Sequence, residues 1–144
     1  MRTVYWVWSM VVLVMVVLQI GFAGYGAFYA AHKLSDEGSS ITDKTFEDGF
    51  GIHIGFGYLV WLSVMVLLVL GVIAGVGRWR LGKHGVLALL LTLQVVLAWG
   101  GESSPVVGVF HPLNAFVILF LILSIVWDGW QARKAGSAAV APAA

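Results

Sequence analysis

The sequence predicts an all-α membrane protein: a four-transmembrane-helix bundle running up-down-up-down, built from two repeated helical hairpins, with the N and C termini cytoplasmic. Three observations carry that expectation. Of the 144 residues, 60% are hydrophobic and only 10% are charged, which is more apolar surface than a soluble fold of this length can keep from water. Four stretches are long and apolar enough to cross a hydrocarbon core, which takes roughly 20 residues at 1.5 Å each. A polar-and-small motif in the first of them returns in the third.

The spans fall at about residues 4–31, 52–77, 82–101 and 106–130, within a single domain of residues 1–135. The first has Gln19 as its one strongly polar residue and is long enough to tilt or to project beyond the headgroups. Its apolar run is longer than the core of a signal peptide and no A-x-A pattern follows, so it reads as an uncleaved helix. Residues 32–51 form an outer loop in which Asp36, Glu37, Asp43, Glu47 and Asp48 outnumber Lys33 and Lys44. From Thr42 this loop can order as an interfacial helix with Ile41, Phe46 and Phe50 on one face, or stay solvated. Residues 136–144, rich in Ala, are read as a disordered tail.

Orientation follows from the basic residues, because short connections rich in Lys and Arg stay in the cytoplasm. Arg2, the Arg78-Trp79-Arg80-Leu81-Gly82-Lys83 turn and the Arg133-Lys134 tail share one side. Tyr5, Trp6, Trp8, Trp79, Trp127 and Trp130 fall at the same interface, where amphipathic rings prefer to sit. The expected location is the bacterial cytoplasmic membrane, crossed several times.

The repeat is the most informative feature. Leu18-Gln19-Ile20-Gly21-Phe22-Ala23-Gly24-Tyr25-Gly26 and Leu93-Gln94-Val95-Val96-Leu97-Ala98-Trp99-Gly100-Gly101 share the pattern L-Q-[IV]-x-x-A-x-x-G. Gln, Ala and Gly at i, i+4 and i+7 make one stripe on each helix. Each of these helices precedes one that opens with a histidine, in Gly51-Ile52-His53-Ile54-Gly55-Phe56-Gly57 and in Phe110-His111-Pro112-Leu113-Asn114-Ala115. The second and fourth helices of such a bundle are diagonal, so His53 and His111, at matching depth, face each other across the core.

That arrangement suits a planar macrocycle with two axial ligands. One turn further in, Gly57 and Ala115 lack the bulk to collide with a porphyrin, and Gly26 and Gly101 offer similar clearance from the other two helices. Neutral imidazole is the usual protein ligand of heme iron. Gln19 and Gln94 can meet a cofactor edge, but interhelical hydrogen bonding is the favoured role. His32 and His84 are weaker candidates, the first read as solvated and the second as a surface residue of the basic turn. Met10, Met15 and Met65 read as apolar filler, and Asn114 as a cap for backbone near Pro112.

The run Leu93-Gln94-Val95-Val96-Leu97-Ala98-Trp99-Gly100, a short outer turn and His111-Pro112-Leu113-Asn114-Ala115 resembles one four-helix half of heme A synthase. It is more similar still to a family of small bacterial four-helix membrane proteins with L-Q, G-x-x-x-H and H-P-x-N-A motifs. The resemblance spans roughly residues 10–125 and implies heme-ligand roles for His53 and His111. It does not carry the synthase's activity. That enzyme joins two bundles in one chain, places a catalytic glutamate close before its first histidine, and in many cases has an extracellular cysteine pair. Here Glu47 lies six positions before His53, Ile54 follows it, and the chain has no cysteine.

The lack of cysteine excludes disulfides, thiolate chemistry and iron–sulfur clusters. A net charge of +1 offers no reason to expect nucleic acid. No nucleophile triad, phosphate loop or carboxylate cage is present, so no catalytic residue is assigned and the chain is not read as an enzyme on its own. The leading expectation is a small cytochrome b-like protein holding heme b between His53 and His111. It would exchange electrons with a quinol or with a periplasmic or membrane redox partner, or handle heme. The alternative is a non-catalytic accessory subunit of a larger membrane complex. A small transporter is disfavoured because no helix is broken at mid-membrane and no charged pair is buried.

Overall fold

In the computed structural model, residues 1–35 and 40–138 are described. They form five helices: α1 (Arg2–Ser35), α2 (Asp43–Ala74), α3 (Arg78–Ser103), the single turn α4 (Pro105–Gly108) and α5 (Phe110–Ala138). With α4 continuing into α5, four helical segments are long and apolar enough to cross a membrane. Asp36 and Glu37 of the acidic loop, and residues 139–144 of the tail, lie outside the described residues.

The helices run further than the sequence suggested. Of the two readings of the outer loop 32–51, the helix from Thr42 is the one observed, continuous with the second span as α2 from Asp43, while α1 continues to Ser35. Thr42 caps α2 reciprocally with Thr45: its Oγ1 accepts from the Thr45 backbone N–H at 3.2 Å, and its own N–H donates to Thr45 Oγ1 at 3.4 Å. Such a capping pair satisfies donors that the first turn leaves unpaired. At the other end of α2, Gly75 takes a left-handed conformation (φ 65°, ψ 45°), which closes the helix at little steric cost in a residue without Cβ. A tight turn through Gly77 then starts α3 at Arg78 rather than near 82. Ser104 separates α3 from α4, whose first residue, Pro105, sits in a first turn where its missing N–H costs nothing. Residues 136–138, expected in the disordered tail, extend α5.

Packing follows a ring. α1 packs on α2, α2 on α3, α3 on α5 and α5 on α1, while α1 and α3 are diagonal, as are α2 and α5. The bundle therefore consists of two hairpins, α1–α2 and α3–α5, laid side by side. Its buried core is one-sided. Val12 and Val16, Val60, Val64 and Leu67, Leu87 and Leu91, and Ile118, Ile122 and Ile125 interdigitate in the half of the bundle near the Arg78–Lys83 turn, at spacings of three and four residues that keep one stripe inward. No more than 28% of the most apolar stretch of any span is buried, and Phe28, Leu89 and Phe120 are among the large side chains that face outward. The exterior is built for lipid.

At the basic end, His84 is 1% exposed, not on the surface as its place in the Arg-rich turn suggested. Its Nδ1 donates to the Arg80 carbonyl at 2.7 Å, and Tyr5 Oη lies 3.1 Å from its Nε2. A carbonyl oxygen only accepts, so the ring proton sits on Nδ1 and Nε2 accepts from the tyrosine hydroxyl. Lys83 reaches Asp128 Oδ2 and Ser124 Oγ, both at 2.7 Å, tying α3 to α5. His32 is exposed at the opposite end.

Candidate functional site: a slot between the two hairpins

The two L-Q motifs make the same contact in each hairpin. Gln19 Nε2 donates to the His53 carbonyl at 2.8 Å, and His53 Nδ1 donates to the Gln19 carbonyl at 3.1 Å. Gln94 Nε2 donates to the His111 carbonyl at 2.9 Å, and His111 Nδ1 donates to the Gln94 carbonyl at 3.0 Å. Each pair thus forms a reciprocal clasp that locks one helix of the hairpin to the other in register. The clasp is identical although 34 residues separate Gln19 from His53 and 17 separate Gln94 from His111.

The clasps also fix the imidazoles. With each Nδ1 donating to a carbonyl, the Nε2 of both rings carries the acceptor lone pair. The rings meet across the bundle with centroids 6.1 Å apart and planes at 66°. Gln19 Nε2 comes within 3.5 Å of His53 Nε2, and Phe50 meets the His53 ring edge-on at 6.3 Å.

Around the rings lies a half-open slot of about 240 Å³, with Gln19, Ala23, His53 and Gly57 on the α1–α2 wall and Gln94, Ala98, Trp99, Glu102, His111 and Ala115 on the α3–α5 wall. It separates the two hairpins in the half of the bundle that the buried core does not fill. Gln19 Oε1 is buried and has no hydrogen-bond partner. Its counterpart, Gln94 Oε1, accepts from Asn114 Nδ2 at 2.7 Å, and Asn114 also donates to the Leu90 carbonyl at 2.9 Å. Asn114 is therefore a strut between α5 and α3 and not a cap beside Pro112. Three residues after His53, the matching position holds Phe56, which packs edge-on against Phe22 and offers Gln19 nothing.

His53, His111, Gln19, Gln94, Gly57 and Ala115, the six residues singled out by the repeat, all border this slot. The glycines differ from expectation in their use. A Cβ on Gly57 would lie 2.9 Å from Gln19 Nε2, so this clearance admits the glutamine amide. A Cβ on Gly26 would strike the Phe50 ring at 2.6 Å, and one on Gly101 would meet Gly108 Cα at 3.0 Å. Gly26 and Gly101 therefore serve close approach within each hairpin and leave the slot no wider. Trp99 and Glu102 were not singled out. They follow Gln94 at five and eight residues, about 140° and 80° round the helix from it, so the Gln-Ala-Gly stripe does not mark them.

Among the described residues, no group of three His, Cys, Asp or Glu side chains is placed to hold a metal ion. A metal held by a macrocycle needs only one or two protein ligands, and this site offers two imidazole nitrogens. Comparison of the chain with protein-family models, curated proteins and solved structures finds no match.

Proposed function

We propose that the chain is a small b-type heme-binding protein of the bacterial cytoplasmic membrane, with His53 and His111 as axial ligands and a role in electron transfer or heme handling. One observation carries the reading: two imidazoles from diagonal helices, each with Nδ1 tied back to a glutamine carbonyl, approach to 6.1 Å between centroids. Two imidazoles bonded through Nε2 to opposite sides of one metal, at a metal–nitrogen distance of about 2.0 Å, have centroids about 6.3 Å apart. Tying Nδ1 to an acceptor fixes the tautomer and raises ligand basicity, the usual support for a metal-bound histidine. Bound heme supplies a one-electron couple, and these residues would set its position and its access to water.

The slot volume of about 240 Å³ lies below the range of roughly 300–1,000 Å³ common for small-molecule sites. A tetrapyrrole held there would be bordered by Gln19, Gly57, Gln94 and Ala115 beside the two histidines. Trp99 and Glu102 border the slot beside Ala98, which puts one carboxylate near the rim. With the basic turn on the cytoplasmic side, the histidines lie toward the periplasmic face and the accessible partner is a quinol or a periplasmic or membrane redox protein.

The test is the absorption spectrum of protein purified from heme-replete cells. A sharp Soret band that shifts on reduction, and that weakens in His53→Ala and in His111→Ala, is the expected result. A colourless preparation that stays colourless after incubation with hemin overturns the reading.

An accessory subunit is the second reading. It is favoured by Gly21, Gly24, Gly51 and Gly55, at which an added Cβ would meet nothing within 4 Å, leaving small residues facing outward where another membrane helix can approach. Co-purification of a stoichiometric membrane partner with colourless protein distinguishes it.

A further inference from the structure

We propose that the basic end of the bundle holds the phosphate headgroup of an anionic phospholipid. A cavity of about 560 Å³ opens there, bordered by Arg2 and Trp6 of α1, Arg78 and Arg80 of α3, and Gly129 and Arg133 of α5. Four arginines from three helices border it, and among the described residues no Asp or Glu does. The neighbouring carboxylate, Asp128, is already engaged by Lys83 at 2.7 Å. Arginines clustered around a concave site favour a multivalent oxyanion, because the planar guanidinium pairs with phosphate through two parallel hydrogen bonds.

Two further features sharpen the assignment. The first turn of α3 starts at this cavity, and its N-cap Gly77 supplies no side-chain hydrogen bond, so backbone N–H groups there add a positive dipole end. Trp6 Nε1 is buried with no partner. It lies along the edge of the ring that abuts Gly129 on the cavity wall, where an added Cβ would come within 2.8 Å of Trp6 Cδ1. Arg133 lies over the same ring at 4.6 Å.

The source is the bilayer and not free phosphate. Trp79, in the same turn, is 82% exposed and places this end at headgroup depth, where indole rings anchor. Basic pockets between membrane helices are recognised sites for phospholipid headgroups.

The proposal is tested by equilibrating the full-length protein, in detergent, with equal amounts of phosphatidylglycerol and phosphatidylcholine of matched acyl chains, then counting retained lipids by native mass spectrometry. Phosphatidylglycerol is retained preferentially. Arg78→Gln/Arg80→Gln reduces that preference by about fivefold for each arginine replaced, whereas Lys33→Gln at the opposite end leaves it unchanged. The single variant Arg78→Gln, at an exposed position, moves the preference in the same direction and covers the case of a double variant that does not fold. Equal retention of the two lipids, unchanged preference in both arginine variants, an equal loss in Lys33→Gln, or displacement of the lipid by millimolar inorganic phosphate overturns it.

Discussion

Phe56 and Asn114 occupy the same position of the two repeats, three residues after the histidine, and only Asn114 completes the glutamine opposite it. Gln94 Oε1 accepts from Asn114, whereas Gln19 Oε1 is buried without a donor. The two hairpins are thus alike in their clasps and unlike in how firmly the clasps are braced.

The asymmetry ranks two substitutions. Gln94→Leu removes the bond to the His111 carbonyl and leaves Asn114 with the Leu90 carbonyl alone, while Gln19→Leu removes the bond to the His53 carbonyl, the 3.5 Å contact with His53 Nε2 and an unsatisfied oxygen together. Side-chain hydrogen bonds between membrane helices contribute about 0.6 kcal/mol on average and up to about 2 kcal/mol. Gln94→Leu is expected to destabilise the protein by about 1–2 kcal/mol more than Gln19→Leu, measured by denaturant titration in mixed micelles. Equal losses would show that Asn114 braces nothing.

Gly57→Ala tests the clasp from the other side. The new Cβ would sit 2.9 Å from Gln19 Nε2, while at Gly55, two residues earlier on the same helix, it would meet nothing within 4 Å. Both changes gain the same helix propensity, so their difference isolates the displaced amide. Gly57→Ala is expected to be less stable than Gly55→Ala by about 1–2 kcal/mol and to weaken any Soret band that His53 supports.

Tyr5→Phe leaves His84 Nε2 buried without its donor. The cost of an unsatisfied buried group is about 1–3 kcal/mol, and the expected loss in Tyr5→Phe lies in that range. A Tyr5→Phe/His84→Leu double variant, with both partners apolar, recovers part of it. No recovery in the double variant would mean that the residues contribute independently.

Lys83 and Asp128 join α3 to α5 with side chains about a quarter exposed. For a pair still in contact with solvent, a double-mutant cycle of Lys83→Met and Asp128→Asn is expected to return a coupling of about 0.5–1 kcal/mol that shrinks as salt is raised. Salt-independent coupling would place the pair deeper than its exposure indicates.

The spans, their diagonal arrangement and the matched histidines were legible in the sequence because hydrophobic length and a seven-residue stripe are local signals. The glutamines were legible as interhelical donors, since a polar amide in a span has few alternatives. His84 was not. It follows Arg78, Arg80 and Lys83, so composition placed it in a solvated turn. The overlooked signal is the spacing of His84, Leu87 and Leu91, at i, i+3 and i+7, which puts the imidazole on the inward stripe. Of the two readings open for the outer loop, the helix from Thr42 is the one the structure has; residues 43–51 extend α2 past the apolar run that marks a membrane crossing, so the apolar run alone places the span's start too late. The use of Gly26 and Gly101 was hidden because a glycine's neighbour is set by tertiary approach, on which the sequence pattern is silent.

The first hairpin reaches further than the second. From Gln19 to Ser35, α1 runs 16 residues beyond its clasp, and from Gln94 to Ser103, α3 runs 9. The difference of seven residues, at 1.5 Å each, amounts to an overhang of about 10 Å. Phe28, 79% exposed, stands level with the end of α3, and the overhang beyond it carries Tyr29, with Lys33 Nζ 5.8 Å from its ring centroid. A visitor arriving from that end therefore touches a single aromatic-studded post before it comes level with the shorter hairpin, and the molecule presents a step, not a flat top, to whatever docks there.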